Sequence, residues 1–330
     1  FPGREVLLRE TNKEIERVIK IGVFRKSHDS EWAAPSFIQR KKTGDVRILT
    51  DFRYLNDNLI RTPFPLPKIG DLLQRLTGFT YATALDLSMG YYHVPLAEES
   101  TKLCTTIFPF GKFQYLRLPM GIKNSPDVFQ SIINNIFGDM ENVQVYLDDI
   151  LLTTTGSFSD HLTLLSTVCQ RLETADFRAN VRKCSFATDK LDYLGYWHTR
   201  NGLQPQPRKV EAILCLSPPK TKRQLRHFLS MINFYRDMWK RRSHLLTPLT
   251  ALVGPTTPFI WGDEQQRSFE AMKTVMSQEA LLTFPDFSKP FHIYTDASKH
   301  QLGAVIMQEN KPIAFYSRKL NSAQKRYPTG

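Results

Sequence analysis

Two short β-prone runs, Val143-Gln144-Val145-Tyr146-Leu147 and Ile150-Leu151-Leu152-Thr153-Thr154, are separated only by Asp148-Asp149. So short a connection reads as a tight hairpin, and its apolar strands need burial on at least one face. Two adjacent carboxylates then stand at the tip of an apolar element. An Asp in a turn can serve a local purpose by hydrogen-bonding nearby backbone. Adjacent carboxylates also repel one another, and a cation relieves that repulsion. A further acidic residue, Asp86, ends the β-prone run that starts at Tyr81, ahead of Gly90, Tyr91 and Tyr92. If that strand lies beside the hairpin, Asp86 and Asp148 can hold two divalent cations about 3.5–4 Å apart, the arrangement that serves phosphoryl transfer. Magnesium needs few protein ligands, because substrate phosphates complete its shell. On spacing alone, a metal pair and a strand-end Asp of structural purpose both stay open.

Composition sets the bounds around this feature. At 41% hydrophobic in 330 residues, the chain is too apolar for disorder and long enough for two or more domains. No apolar run reaches the roughly 18 residues that a spanning helix needs. The start, Phe1-Pro2-Gly3-Arg4-Glu5, lacks Met and an apolar signal core, and reads as a mature fragment or a piece of a longer chain. Cys104, Cys169, Cys184 and Cys215 share no CxxC spacing, which argues against a disulfide framework or a zinc site and for a reducing compartment. The 44 Lys or Arg against 32 Asp or Glu give a formal net charge of +12, which favours a polyanionic partner. Most of that excess falls within 206–250, where ten basic residues meet two acidic ones, while 101–205 is balanced.

Several helices announce their ends. Thr11 and Glu14 form a capping box ahead of Ile15, Val18 and Ile19, and Gly22 can stop that helix. Ser125 can cap a helix with Pro126 at its first position and Phe129, Ile132, Ile133 and Ile136 on one face. Leu165, Val168, Cys169 and Leu172 repeat the pattern. Thr221 and Gln224 form another capping box before the stripe Leu225, Phe228, Leu229, Ile232 and Tyr235, which leaves Lys222, Arg223, Arg226 and Arg236 largely off the apolar face. Three strands are expected at 291–295, 303–307 and 313–316. Without a regular βαβ rhythm the chain reads as α+β. No GxGxxG, GxxxxGK[ST] or HExxH occurs, and the dispersed histidines, His161 and His292 among them, read as structural.

A series of short motifs follows a single order: Trp32-Ala33-Ala34-Pro35-Ser36, Lys41-Lys42-Thr43-Gly44, Arg47 with Asp51-Phe52-Arg53-Tyr54-Leu55-Asn56, Leu85-Asp86-Leu87, Leu118-Pro119-Met120-Gly121 with Asn124-Ser125-Pro126 and Phe129-Gln130, Tyr146-Leu147-Asp148-Asp149, and Tyr193-Leu194-Gly195. Each is weak alone. Together they resemble the reverse transcriptases of gypsy-type LTR retrotransposons and related retroelements, over essentially the whole chain.

The resemblance implies Asp86 and Asp148 as metal-binding carboxylates, Asp149 as a third acidic member and the backbone carbonyl of Leu87 as an extra ligand. It implies Arg47, with Lys41 or Lys42, against the triphosphate of an incoming dNTP, where the transition state gathers charge. Tyr91, five residues after Asp86, matches the aromatic that blocks a ribose 2′-hydroxyl. Met120 and Gly121 match the floor beside nucleotide and template. Met120 stands where Phe or Gln is expected, and Ala34 where Ser is common. Leu194, Gly195 and Tyr196 match the primer-holding region. The basic stretch matches a thumb whose Lys222, Arg223 and Arg226 meet duplex phosphates and give affinity without sequence readout. Thr295-Asp296-Ala297-Ser298 resembles the opening of a ribonuclease H domain, with Asp296 the first of four carboxylates. One carboxylate cannot build a two-metal nuclease, so ribonuclease H activity is not expected of this chain.

The expected fold is therefore an α+β right-hand polymerase. Fingers are expected from 1–61 and 96–118, palm from 62–95 and 119–205, thumb and connecting segment from 206–285, and a truncated ribonuclease H-like sheet from 286–330. The expected activity is RNA-directed DNA polymerisation, adding dNTPs to a primer 3′-hydroxyl with two Mg²⁺ per site, Mn²⁺ being a substitute. Expected partners are an RNA or DNA template with its primer and dNTPs, with no membrane, in a cytoplasmic retroelement particle or the nucleus. The competing class is a decayed or domesticated retroelement fragment that binds nucleic acid without catalysis.

Overall fold

The computed structural model describes residues 2–27, 30–40, 46–76, 78–278, 280–298, 301–321 and 323–324. The chain divides into two compact units: Phe1–Pro67, Thr83–Thr153 and Phe158–Phe186 form one, and Lys68–Ala82, Thr154–Ser157 and Ala187–Gly330 the other. Helices and strands are interspersed, as the α+β reading expects.

In the first unit, helix Pro2–Lys20 packs Ile15 and Val18 with Phe24, Phe52 and Tyr115 into one core. Beside it runs a five-stranded sheet in the order Phe24–Ser27, Gly111–Tyr115, Thr105–Phe108, Ala34–Arg40, Val46–Thr50. The helix starts at Pro2, ahead of the Thr11 capping signal, and Thr11 is buried inside it. A capping residue is only a local preference, and packing overrides it here. Gly22 ends the helix as read: its φ is 74°, and the Val23 amide donates to the Val18 carbonyl at 2.9 Å.

The second sheet of this unit runs Val143–Tyr146, Asp149–Thr154, Tyr81–Asp86, Ser185–Thr188, so the strand of Asp86 does lie beside the acidic hairpin. Helices Ser125–Phe137 and Phe158–Thr174 bring Phe129, Ile133, Phe137, Val168 and Leu172 onto Leu85, Ile150 and Leu152. A cavity left by truncating a buried Phe such as Phe129 costs about 3–5 kcal/mol. Two local readings shift by a residue. Asn124 precedes the first of these helices, because the Ser125 hydroxyl donates to the Pro119 carbonyl at 2.7 Å instead of capping. The hairpin pairs Tyr146 with Asp149, so the turn is Leu147-Asp148 and not Asp148-Asp149.

The second unit holds a three-stranded sheet, Lys190–Tyr193, Tyr196–Thr199 and Gly202–Pro205. Helix Lys222–Phe234 buries Leu225, Phe228, Leu229 and Ile232, and the Thr221 side chain accepts from the Gln224 amide at 3.2 Å, as its capping signal requires. Helix Asp263–Ser277 meets it through Phe228 and Phe269, 4.6 Å between ring centroids. Strands His292–Ala297, Gln301–Gln308 and Lys311–Lys319 form an antiparallel sheet whose first strand is exposed along its length. All four cysteines are free. Among the described residues no helix is long and apolar enough to cross a membrane.

Candidate active site

Asp86 ends its strand because the residues before it, Ala82, Thr83 and Leu85, face the core, while Asp86 is partly exposed at the edge. The chain then turns sharply. Met89 adopts a left-handed backbone at φ 55° and leads into the short 3₁₀ helix Gly90–His93. A Cβ at Gly90 would collide with Asp148 Oδ1 and come within 2.8 Å of the Phe129 ring. Glycine here is what lets the hairpin tip approach.

The tip itself is held by Gln130, which is buried on its helix. Its Oε1 accepts from the Leu147 amide at 2.8 Å and its Nε2 donates to the Val145 carbonyl at 3.2 Å. That fixes Leu147 in a left-handed conformation, φ 52°. The Asp148 carbonyl accepts from the Leu87 amide at 2.9 Å, tying hairpin to strand end. Burial pushes the Asp148 carboxyl up to about 6, and the like charges of Asp149 and Asp86 push the same way, against a smaller pull from Lys183. Lys183 Nζ donates to both oxygens of Asp86 at 3.0 Å.

Asp86, Leu87, Asp148, Arg47 and Met120 line one cleft of about 680 Å³. Asp149 does not line it and acts on Asp148 through its charge. Gly121 sits beside Met120 at φ 96°, and its carbonyl accepts from Asn56 Nδ2 at 2.8 Å. Tyr91 stacks on Phe129, 4.8 Å between centroids, with its hydroxyl pushed up to about 12 by burial and by Asp148 and Tyr146. Tyr92, not Tyr91, is the tyrosine lining the cleft. Lys41 and Lys42 lie outside the described residues.

Sequence reading missed the contribution of the first helix, whose Lys13, Glu14 and Arg17 line the same cleft. Arg17 is held by Glu14 through two bonds of 2.7 Å. Lys13 and Arg17 gave no signal beyond lying off the apolar stripe, and Glu14 was read only as a capping residue. Among the described residues no three or more of His, Cys, Asp and Glu form a group placed to hold a metal ion by themselves. Yet the site fits a divalent cation: Asp148 Oδ1 is buried without a hydrogen-bond partner, it faces the Gly90 cradle, and neighbouring carboxylates raise its proton affinity. Hard oxygen donors that leave room for substrate oxygens are what magnesium prefers.

In the second unit Leu194 and Gly195, both at positive φ, turn between the paired Tyr193 and Tyr196. Tyr196 stacks on Phe234 and its hydroxyl donates to the Phe234 carbonyl at 2.8 Å, while the Tyr235 hydroxyl donates to the Gly195 carbonyl at 2.7 Å. Lys222 and Arg226 donate to the carbonyls of Gly254 and Val253, at 2.7 and 3.0 Å. Arg223 instead lines an apolar groove with Pro218, Pro219 and His227. Asp296 lies on the exposed strand, in a small cavity with Lys240 and Arg241.

A four-stranded sheet backed by two helices, with carboxylates at the ends of two adjacent strands and cations opposite, defines a right-hand polymerase. The chain carries a reverse transcriptase domain. Residues 39–198 match the family described as reverse transcriptase (RNA-dependent DNA polymerase), and 261–330 match the RNase H-like domain found in reverse transcriptase. It is 31% identical, over 96% of its length, to the retrovirus-related Pol polyprotein from transposon 297 of Drosophila melanogaster, of which it covers 31%. It is 30% identical to that from transposon gypsy of the same organism, covering 96% of this chain and 32% of the relative. The Tf2-3 polyprotein of Schizosaccharomyces pombe (strain 972 / ATCC 24843) is 32% identical over 99% of this chain, which covers 25% of it. The chain thus spans about a third or less of these relatives. In fold it matches the foamy viral protease-reverse transcriptase dRH in complex with double-stranded DNA, with a TM-score of 0.91 and 23% identity over 97% of this chain and 57% of that one.

Proposed function

We propose that this chain is an RNA-directed DNA polymerase that extends a primer 3′-hydroxyl on an RNA or DNA template. The observation that carries the reading is the single cleft into which Asp86, Asp148 and Arg47 converge, in a chain that carries a reverse transcriptase domain. Related foamy viral enzymes solved with double-stranded DNA and with an RNA/DNA hybrid support the same class of partner. In this reading 1–61 and 96–118 act as fingers, 62–95 and 119–205 as palm, 206–285 as thumb and connecting segment, and 286–330 as the ribonuclease H-like part.

Asp86 and Asp148 hold Mg²⁺ or Mn²⁺, with the Leu87 carbonyl as a further ligand and Asp149 setting the local field. When bound, these cations supply Lewis acidity at the α-phosphate. Arg47, joined by Lys41 or Lys42, takes the triphosphate charge where it grows in the transition state. Met120 and Gly121 form the floor under the nascent base pair. The resemblance assigns the block on a ribose 2′-hydroxyl to Tyr91, which stacks on Phe129, while Tyr92 is the tyrosine that lines the cleft. Leu194, Gly195 and Tyr196 hold the primer end, and the basic helix, through Arg223 with Lys222 and Arg226, meets the duplex backbone. The primer oxygen then bonds to the α-phosphorus, the bond to the β-phosphate breaks, and pyrophosphate leaves. The proposal covers synthesis only.

Primer extension on poly(rA)/oligo(dT) with dTTP and Mg²⁺ tests this. Wild type should extend the primer, and Asp148→Asn should lower the rate about a thousandfold, the scale of losing one central electrostatic contributor. Extension that survives the substitution overturns the metal assignment. No extension by folded wild type overturns the polymerase reading in favour of nucleic-acid binding alone.

A further inference from the structure

Within the cleft, Lys183 makes an ion pair that the reaction as described does not use. Its ammonium lies 3.0 Å from Oδ1 and 3.0 Å from Oδ2 of Asp86, spanning the two oxygens symmetrically. The partners are 97 residues apart, so no local turn forces them together. What brings them together is backbone. The Asn180 amide donates to the Asp86 carbonyl at 2.7 Å, the Ser88 amide to the Arg178 carbonyl at 2.7 Å, and the Lys183 amide to the Asn180 carbonyl at 2.8 Å. A bridge between Leu87 and Ala179 completes the join. The segment carrying Lys183 is therefore stitched to the strand end carrying Asp86, and the lysine is delivered to that carboxylate.

We propose that Lys183 is a tethered counter-cation that competes with the divalent metal for Asp86, and so sets how tightly the site takes its metal. This rests on the metal reading of the cleft given above. The ion pair and a metal–carboxylate bond claim the same two oxygens, and both cannot be held at full strength. The two side chains differ in their freedom to yield. Lys183 is 62% exposed and Asp86 25%, so the ammonium can swing into water while the carboxylate stays in place. An exchange of this kind is cheap, because exposed ion pairs are weak. Asp149 and Asp86 both act on Asp148 here, with Lys183 pulling the other way, so the swap puts a doubly charged ion where a singly charged one stood.

The test is direct Mn²⁺ binding to the whole protein, read from the electron paramagnetic resonance of free Mn²⁺, without nucleotide or nucleic acid. Lys183→Met should tighten Mn²⁺ binding about two- to fivefold, the range set by a solvent-exposed pair. Lys183→Arg should stay near wild type. Lys13→Met, which removes a cation lining the same cleft but not bonded to Asp86, should change affinity by less. Equal tightening by Lys13→Met and Lys183→Met overturns the proposal, since the general field of the cleft would then suffice. Unchanged or weaker binding in Lys183→Met also overturns it. Asp148→Asn separates the two readings: binding lost there but unmoved in Lys183→Met sinks the Lys183 inference alone, and binding retained there sinks the metal reading beneath it. In wild type, where no substitution can disturb folding, Mg²⁺ should raise the rate at which Lys183 is acetylated, measured by mass spectrometry. A rate that Mg²⁺ leaves unchanged overturns the competition.

Discussion

At the scale of single residues, Asp148 carries the largest electrostatic tension in the cleft. Its carboxyl is pushed from the ordinary 3.8 up to about 6, first by burial and then by Asp149 and Asp86. A raised acid pKa means that the folded protein holds a proton the unfolded chain has released. Between about pH 4 and pH 6 the native state therefore binds more protons than the unfolded state, and stability falls as pH rises. The full shift corresponds to about 3 kcal/mol at about 1.4 kcal/mol per unit, and partial solvent access reduces this to about 1–2. Asp148→Asn removes the charge without removing the shape. In urea unfolding without divalent ions it should be more stable than wild type by about 1 kcal/mol at pH 7.5 and indistinguishable at pH 4. An advantage of the same size at both pH values would mean that packing, not charge, separates the two proteins. Asp86 and Asp148 stood out in the sequence as charges at the ends of β-prone runs, with a structural purpose left open, and Arg47 came only from the resemblance to reverse transcriptases. Lys183 did not stand out: it follows Arg182 in an ordinary basic pair, and its meaning comes only from a partner 97 residues away.

At the scale of elements, the acidic hairpin shows where local pattern stops being sufficient. Its two strands were legible from their apolar runs, but its turn falls one residue earlier than the two carboxylates suggest. The deciding contact is Gln130, 17 positions before Leu147, whose side chain accepts the Leu147 amide and donates to Val145. A non-glycine residue at φ 52° costs roughly 1–2 kcal/mol, and this pair of bonds offsets it. Gln130→Ala should therefore destabilise the protein by about 1–3 kcal/mol and, more tellingly, speed hydrogen exchange at the Leu147 amide relative to the strand interior at Leu151. Uniform acceleration along the whole hairpin would show that Gln130 supports the strands and not the turn. By contrast, helix Lys222–Phe234 was legible from its capping signal and apolar stripe: Thr221 accepts the Gln224 amide and Leu225, Phe228, Leu229 and Ile232 are buried, although Gln224 Oε1 takes the Lys220 amide and Tyr235 falls just past the helix end. The start of the first helix was not, since Thr11 offered a local cap that the core of Ile15, Val18 and Phe24 ignores.

At the scale of the whole molecule, the two units interleave along the chain, with Lys68–Ala82 folding among residues 187–330. Hydrophobic periodicity describes neighbours in sequence, so it cannot show such a return; the mixed α+β character was legible and this partition was not. Each unit also buries a histidine that takes no part in the proposed chemistry. His161 bonds through Nε2 to the Thr83 hydroxyl at 2.8 Å in the first, and His198 bonds through Nε2 with the Tyr193 carbonyl at 3.2 Å in the second. Burial lowers the proton affinity of both, and that of His198 down to about 4. A lowered base pKa is the reverse of the Asp148 case. As pH falls from about 6.5 towards 4, the unfolded chain takes up protons that the native imidazole refuses, so stability is fully present above that window and is lost within it. In the first unit Asp148 opposes this loss, because its own contribution grows as pH falls over much of the same range. Acidification should therefore weaken the second unit first. Tryptophan fluorescence reports on it selectively, since Trp197, Trp239 and Trp261 lie there and Trp32 alone in the first. The urea midpoint read by tryptophan should fall steeply between pH 6.5 and 4.5 in wild type, and His198→Gln should flatten that fall by about 2–3 kcal/mol across the window. If His198→Gln falls as steeply as wild type, the acid sensitivity of this unit lies in other groups, and His198 is no more than packing for Tyr193, whose ring it meets edge-on at 5.6 Å.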